Sequence, residues 1–212
     1  MRSLDRTAAF ARAAELATLA TSTRRAILGI TGAPAAGKST YAEELAAGLT
    51  TSGHRVALVP MDGYHLAQSA LEELGIADVK GAPHTFDGAG YAALLRRLRD
   101  RTGETVWAPR FHRELEDSIA AAIGVGPEID LVLTEGNYLL LDQEPWATAR
   151  GSVDEIWYLE LDDDTRHARL TARHQHFGRS AQEAHDRTFG SDERNAQLIA
   201  ATKHLATATL SL

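Results

Sequence analysis

The stretch Ala26-Ile27-Leu28-Gly29-Ile30-Thr31 followed by Gly32-Ala33-Pro34-Ala35-Ala36-Gly37-Lys38-Ser39-Thr40 constrains this chain more than any other. An apolar strand pattern runs into Gly-x-x-x-x-Gly-Lys-Ser, and a helix pattern opens at Gly37, which is the context of a phosphate-binding loop. Gly32 and Gly37 permit backbone angles and close approaches that a Cβ would forbid. The loop from Gly32 through Ala33, Pro34, Ala35, Ala36 and Gly37 to Thr40 can then turn its N–H groups inward at a helix N-terminus, as an anion nest. Lys38 would reach the β- and γ-phosphates and the Ser39 hydroxyl would ligate Mg²⁺. ATP and Mg²⁺ are the expected cofactors.

The helix pattern from Tyr41 to Thr51 stops at Ser52-Gly53, and Arg55–Pro60 reads as a second buried strand. Strand, loop, helix and strand make a right-handed βαβ unit and imply a parallel sheet covered on both faces. Further strand patterns at 131–135 and 155–161 alternate with helical ones, which gives an α/β class. The expected architecture is a three-layer α/β/α fold with a mostly parallel sheet and a helical lid. No linker or repeat breaks the chain, so one domain over 1–212 is expected, with 1–23 as a helical extension and about 162–190 as lid and helices. The formal net charge of −7 argues against nucleic acid as a partner. There is no cysteine, no signal-peptide core and no run of the roughly 20 apolar residues that span a bilayer, so no membrane insertion and a cytoplasmic location are expected.

Phosphoryl transfer needs a phosphate cradle, a metal, a base on the acceptor hydroxyl and cations over the transferring group. Asp62 follows the second strand directly, and ligands of parallel sheets lie beyond the carboxyl ends of their strands. It is the candidate base, although Asp-Gly is also a common turn pair. Glu135 ends an apolar strand and is the candidate second metal group with Ser39; a strand-end acid can equally be satisfied by neighbouring N–H groups. Arg166, Arg169 and Arg173 recur at i, i+3 and i+7 on one predicted helix face and could close over ATP, one or two of them touching phosphate. The nine histidines show no zinc spacing, and no Gly-x-Ser-x-Gly, dinucleotide fingerprint or Asn-Lys-x-Asp for guanine occurs.

Four blocks stand in order: the P-loop, Met61-Asp62-Gly63-Tyr64-His65, Lys80-Gly81-Ala82-Pro83-His84-Thr85-Phe86-Asp87, and Thr134-Glu135-Gly136-Asn137-Tyr138-Leu139-Leu140-Leu141. With the late Gly190-Ser191-Asp192-Glu193-Arg194-Asn195-Ala196 stretch, they resemble the P-loop kinases that include uridine kinase, phosphoribulokinase and pantothenate kinase. The branch labelled nucleoside/nucleotide kinase-like or fructose-transport-system kinase is the nearest in pattern. The resemblance runs from about residue 24 to the C-terminus. It implies Asp62 as base, Lys38 and Ser39 on ATP and Mg²⁺, Glu135 supporting the metal, the Lys80–Asp87 stretch and Arg113 near the acceptor, and Asn195 near the nucleotide or the lid. It also implies a homodimer as one form of assembly. The chain departs from the family pattern at His112, where an Asp is common.

The expected activity is transfer of the γ-phosphoryl group of ATP to a hydroxyl of a small acceptor: a sugar, a nucleoside or a pantothenate-like compound. Tyr64, His65, His84, Phe111, His112, Arg113 and Tyr138 are the scattered candidates for its pocket. The competing expectation is an ATPase or nucleotide-binding partner of a transporter, which would transfer to water alone.

Overall fold

The computed structural model describes residues 1–211. In chain order the regular elements begin with β1 (Arg2–Leu4), α1 (Arg6–Thr18), β2 (Ala26–Thr31), α2 (Lys38–Thr51), β3 (Val56–Leu58), α3 (Gln68–Glu73) and α4 (Gly88–Arg99). They continue with β4 (Val106–His112), β5 (Asp117–Val125), β6 (Leu131–Glu135), α5 (Trp146–Arg150), β7 (Glu155–Glu160) and α6 (Asp163–His176). The chain closes with α7 (Ala181–Arg187), α8 (Glu193–Ala201) and β8 (Ala208–Ser211). Between them lie short turns, among them a 3₁₀ turn over Met61–Tyr64 and a π-helical turn over Thr188–Asp192. The final strand expected over 206–212 is β8; Leu212 lies outside the described residues.

Six strands form one sheet in the order β1-β8-β7-β2-β6-β3, and every pairing is parallel. β2 is buried along its whole length, and its side chains alternate between two cores. Leu28 and Ile30 pack with α1 and α2, through Ala13, Leu16, Leu45 and Leu49. Ile27 packs on the other face with Tyr91, Leu95 and Leu98 of α4 and Trp146 of α5. This is the period-two arrangement of a central strand between two helical layers. The three-layer α/β/α architecture is therefore present, with its P-loop at the carboxyl end of the central strand.

Local sequence explains the ends of the elements that carry the site. Asp87 caps α4 by accepting from the Gly90 N–H at 2.8 Å, and Asp162 caps α6 by accepting from Thr165 N–H at 2.8 Å. β1 was not anticipated, because three residues are too short for any periodicity to show. The antiparallel β4–β5 ribbon stands apart from the main sheet. It is anchored where Gly63 meets Pro109: a Cβ at Gly63 would collide with the Pro109 carbonyl oxygen. Two arginines at and just beyond the end of α4 are tied to neighbouring elements. Arg99 donates to the Ser152 carbonyl at 2.6 Å and to Asp154 at 3.0 Å, and Arg101 donates to Asp130 at 2.6 Å.

Candidate active site

Because all six strands are parallel, the carboxyl ends of β2, β3, β6 and β7 open on one edge, and a cleft of about 1830 Å³ lies along it. Pro34 to Thr40, Asp62, Glu135, Arg169 and Arg173 line this cleft together, although they are spread over 140 residues of chain. The P-loop is shaped as its sequence requires. Gly37 takes a left-handed φ of 97° at the N-cap of α2, and Ala35 takes φ 63°, so the loop turns back on itself around its own N–H groups. Gly32 lies at the loop's base, where a Cβ would come within 2.6 Å of the Leu159 carbonyl oxygen; it does not line the cleft, and Ala33 faces a smaller hollow behind the loop.

Lys38 is buried, and its ammonium donates to the Ala33 carbonyl oxygen at 3.1 Å. Burial pulls its pKa down to about 8, and Arg173 and Arg113 push the same way, while Glu135 and Asp62 oppose the shift. Ser39 Oγ donates to Glu135 Oε1 at 2.9 Å. This pair offers hard oxygen donors where a P-loop cation belongs. Among the described residues no three His, Cys, Asp or Glu side chains are placed to hold a metal ion together, so a bound cation would complete its shell from phosphate oxygens and water, the habit of Mg²⁺.

Burial, and then the negative charge of Asp62, push the Glu135 pKa up to about 7, against the pull of Lys38 and the Ser39 hydrogen bond. Between its unperturbed 4.5 and about 7, the folded chain holds a proton that the unfolded chain has released. Stability contributed here is therefore present at low pH and lost as pH rises through that window. Glu135→Gln cannot ionise and removes the slope. Without nucleotide or metal, its melting temperature at pH 8 should exceed that of the unsubstituted protein, and the gap should close towards pH 5. Thermal melts across that range check it; a variant no more stable at pH 8 would contradict the buried-charge account.

On the β3 and β6 side, His65 forms a wall. Its ring lies 4.0 Å from Phe86 and 4.7 Å from Phe111 by centroid, and its Nδ1 donates to the Asp62 carbonyl oxygen at 2.9 Å. Burial lowers its pKa, which favours the neutral ring. Lys80 Nζ sits 5.6 Å over the Phe111 ring and donates to the Glu116 carbonyl oxygen at 2.7 Å. Arg113 lines the same end of the cleft.

Several expected site residues stand elsewhere. His112 is exposed and does not line the cleft, because β4 alternates and Phe111 takes the inward position. His84 is exposed outside the cleft. Tyr64 packs edge-on against Tyr91 at 5.5 Å. Tyr138 is buried, and its hydroxyl donates to the Gly81 carbonyl oxygen. Tyr64 and Tyr138 thus support the pocket from behind. Asn195 does line the cleft, but it reaches the 80–87 loop, donating to the Gly81 carbonyl oxygen at 3.5 Å.

Arg166 is also displaced from its expected role. It is 1% exposed and donates to Asp163 at 2.9 Å and to Glu193 at 2.5 Å, which pins α6 to α8 outside the cleft. Its azimuth matches that of Arg173, but the separation of seven residues puts Arg173 about 10 Å further along the helix, over the cleft. Arg169 lies beside the P-loop, its guanidinium 3.7 Å from where a Gly37 Cβ would stand. Arg113, Arg169 and Arg173 have no carboxylate within ion-pair distance among the described residues. Asn137 and Phe86 line the cleft without having been singled out; both lie inside the ordered motif blocks, which was the available signal.

A family model described as methylmalonyl Co-A mutase-associated GTPase MeaB matches residues 5–68, less than a third of the chain and ending before β6. The chain is 33% identical over 187 residues to a candidate uridine kinase of Schizosaccharomyces pombe, across 83% of this chain and 78% of that protein. It is 36% identical over 121 residues to an ATP-dependent kinase-like protein of Aspergillus versicolor, across 54% of this chain and 70% of that one. Among solved structures, a candidate fructose transport system kinase from Silicibacter sp. TM1040 superimposes with a TM-score of 0.81 at 38% identity, across 88% of this chain and 89% of that chain.

Proposed function

This chain belongs to the P-loop kinases related to uridine and pantothenate kinases, and from that premise we propose that it transfers the γ-phosphoryl group of ATP to a hydroxyl of a small acceptor. A sugar or a nucleoside is the favoured class, with a pantothenate-like compound third. The observation that carries the reading is the pairing of an acid, Asp62, with an aromatic-walled recess beside the phosphate cradle. A site that only hydrolyses ATP has no need of that wall.

In this reading the P-loop N–H groups and Lys38 hold the β- and γ-phosphates. The Asp62 carboxylate takes the proton from the acceptor hydroxyl as its oxygen bonds to the γ-phosphorus. The bond from that phosphorus to the bridging oxygen breaks, and ADP leaves with the electron pair. Arg169 and Arg173 balance the charge spread over the transferring group. Ser39 and Glu135 would hold Mg²⁺, which supplies further neutralisation of the phosphates when bound. His65 fixes the turn that carries Asp62, and Phe111, Lys80 and Arg113 form the acceptor's surroundings.

ADP release with Mg²⁺ should rise at least about ten-fold above the water background for one member of a panel of fructose and other hexoses, ribose, uridine, cytidine, adenosine and pantothenate. A coupled assay reads it. A flat panel over steady hydrolysis would favour the transporter-linked ATPase instead.

A further inference from the structure

The N-terminal strand and helix lie outside the blocks that carry the kinase resemblance, yet they reach the same cleft. β1 runs parallel to β8 at the sheet edge, so its carboxyl end opens on the side of the P-loop. Arg6, the first residue of α1, emerges there. α1 rests on α2, where a Cβ at Gly48 would meet the Phe10 ring at 3.1 Å. The Arg6 guanidinium lies 5.7 Å from the centroid of the Tyr41 ring and 2.7 Å from a Glu44 oxygen. Arg6, Tyr41 and Glu44 line the cleft that holds Lys38.

The order of the strands divides this cleft. Asp62 and Glu135 come from β3 and β6, on one side of β2, whereas Arg6, Glu160 and Leu161 come from β1 and β7, on the other. The triphosphate belongs on the loop after β2. The attacking and leaving oxygens of phosphoryl transfer lie roughly in line, so an acceptor on the Asp62 side leaves the nucleoside half of ATP the β7–β1 side. A second observation marks that end. Tyr41 is 4% exposed and its hydroxyl has no hydrogen-bond partner, an arrangement native structures rarely leave without a role.

We propose that Arg6, Tyr41 and Glu44 form the nucleoside end of the ATP site, so that the N-terminal unit is part of the substrate-binding surface. The proposal rests on the ATP-kinase reading above. A guanidinium plane stacks on a purine and donates in-plane hydrogen bonds. Glu44, released from Arg6, can accept from ribose hydroxyls or from the adenine amino group, and the Tyr41 hydroxyl gains the partner it lacks. None of the three touches the transferring phosphoryl group, so they govern affinity for ATP.

Calorimetric titration of the full chain separates the two halves of the ligand, using Mg²⁺-ATP and Mg²⁺-tripolyphosphate, which fills the P-loop without a nucleoside. Arg6→Ala should weaken ATP about ten-fold and leave tripolyphosphate within about two-fold. Tyr41→Phe should weaken ATP about three-fold with an unchanged melting temperature, since its hydroxyl has no partner to lose. Unchanged ATP affinity in Arg6→Ala, or equal weakening of both ligands, overturns the proposal. An unsubstituted protein that binds tripolyphosphate as tightly as ATP also overturns it while leaving the phosphate site intact. One that binds neither overturns the kinase reading itself.

Discussion

Asp62→Asn should lower kcat by about 10²–10⁴-fold while the ATP dissociation constant stays within about two-fold. The substitution keeps the size and the hydrogen-bonding reach of the side chain and removes only its basicity. Asp62 lines the cleft from the turn after β3, held there by the His65 Nδ1 hydrogen bond to its own carbonyl oxygen. Its charge is felt by both Lys38 and Glu135, which puts it beside the phosphate loop and fits the proposed role of base. A group that accepts a proton only as the new bond forms contributes in the transition state and little in the ground state. Steady-state kinetics with the productive acceptor, paired with an ATP titration, separate the two. A variant within a factor of two in kcat would remove Asp62 from proton transfer and leave it a turn residue.

Lys38→Ala should cost both affinity and rate: about ten-fold or more in ATP binding and about 10²–10³-fold in kcat. The ammonium is buried and its hydrogen bond is to the loop's own Ala33 carbonyl, so in the absence of nucleotide its charge is held ready for phosphate. It also pulls the Glu135 pKa down. Removing it lets that carboxyl climb further above about 7, so the acid limb of the residual activity should move to higher pH. Lys38→Arg should not rescue the rate, because a bulky planar guanidinium does not fit a buried site built around an ammonium. An alanine variant with normal ATP affinity would contradict contact between Lys38 and phosphate.

The parts of this site that were legible in the sequence are those whose geometry is local. The P-loop, Asp62 at the end of β3 and Glu135 at the end of β6 each follow from a strand that stops, and parallel strands bring such ends to one edge without further information. What failed needed a third dimension. The helical spacing of Arg166, Arg169 and Arg173 gives azimuth but not height above the sheet, and height decides that Arg166 meets Glu193 of α8 while Arg173 hangs over the cleft. The inward choice of Phe111 over His112 depends on the phase of β4, and the register of β4 against β5 shifts between Ala108 and Arg110. Across that irregularity the inward side of β4 passes from Val106 and Ala108 to Phe111, a change of phase that strict alternation does not anticipate. β5 itself carries Ala120-Ala121-Ala122, small residues with no alternation to read. Tyr64 and Tyr138 are expected from the sequence as residues of the acceptor pocket itself, and only tertiary packing shows them behind it as support.

The contact between Gly63 and Pro109 has a consequence for anyone wishing to change what this kinase phosphorylates. The turn bearing Asp62 and the ribbon bearing Phe111 and Arg113 touch backbone to backbone, with no side chain between them to absorb a shift. Ribbon residues therefore cannot be exchanged as an independent cassette. A graft that moves Pro109 by even half an ångström pushes on the residue next to Asp62. With Asp62 as the proposed base and the ribbon as the proposed acceptor wall, choice of acceptor and competence at proton transfer become mechanically one variable, and libraries that vary 110–116 while keeping 109 and 63 fixed should yield more active variants than whole-loop transplants.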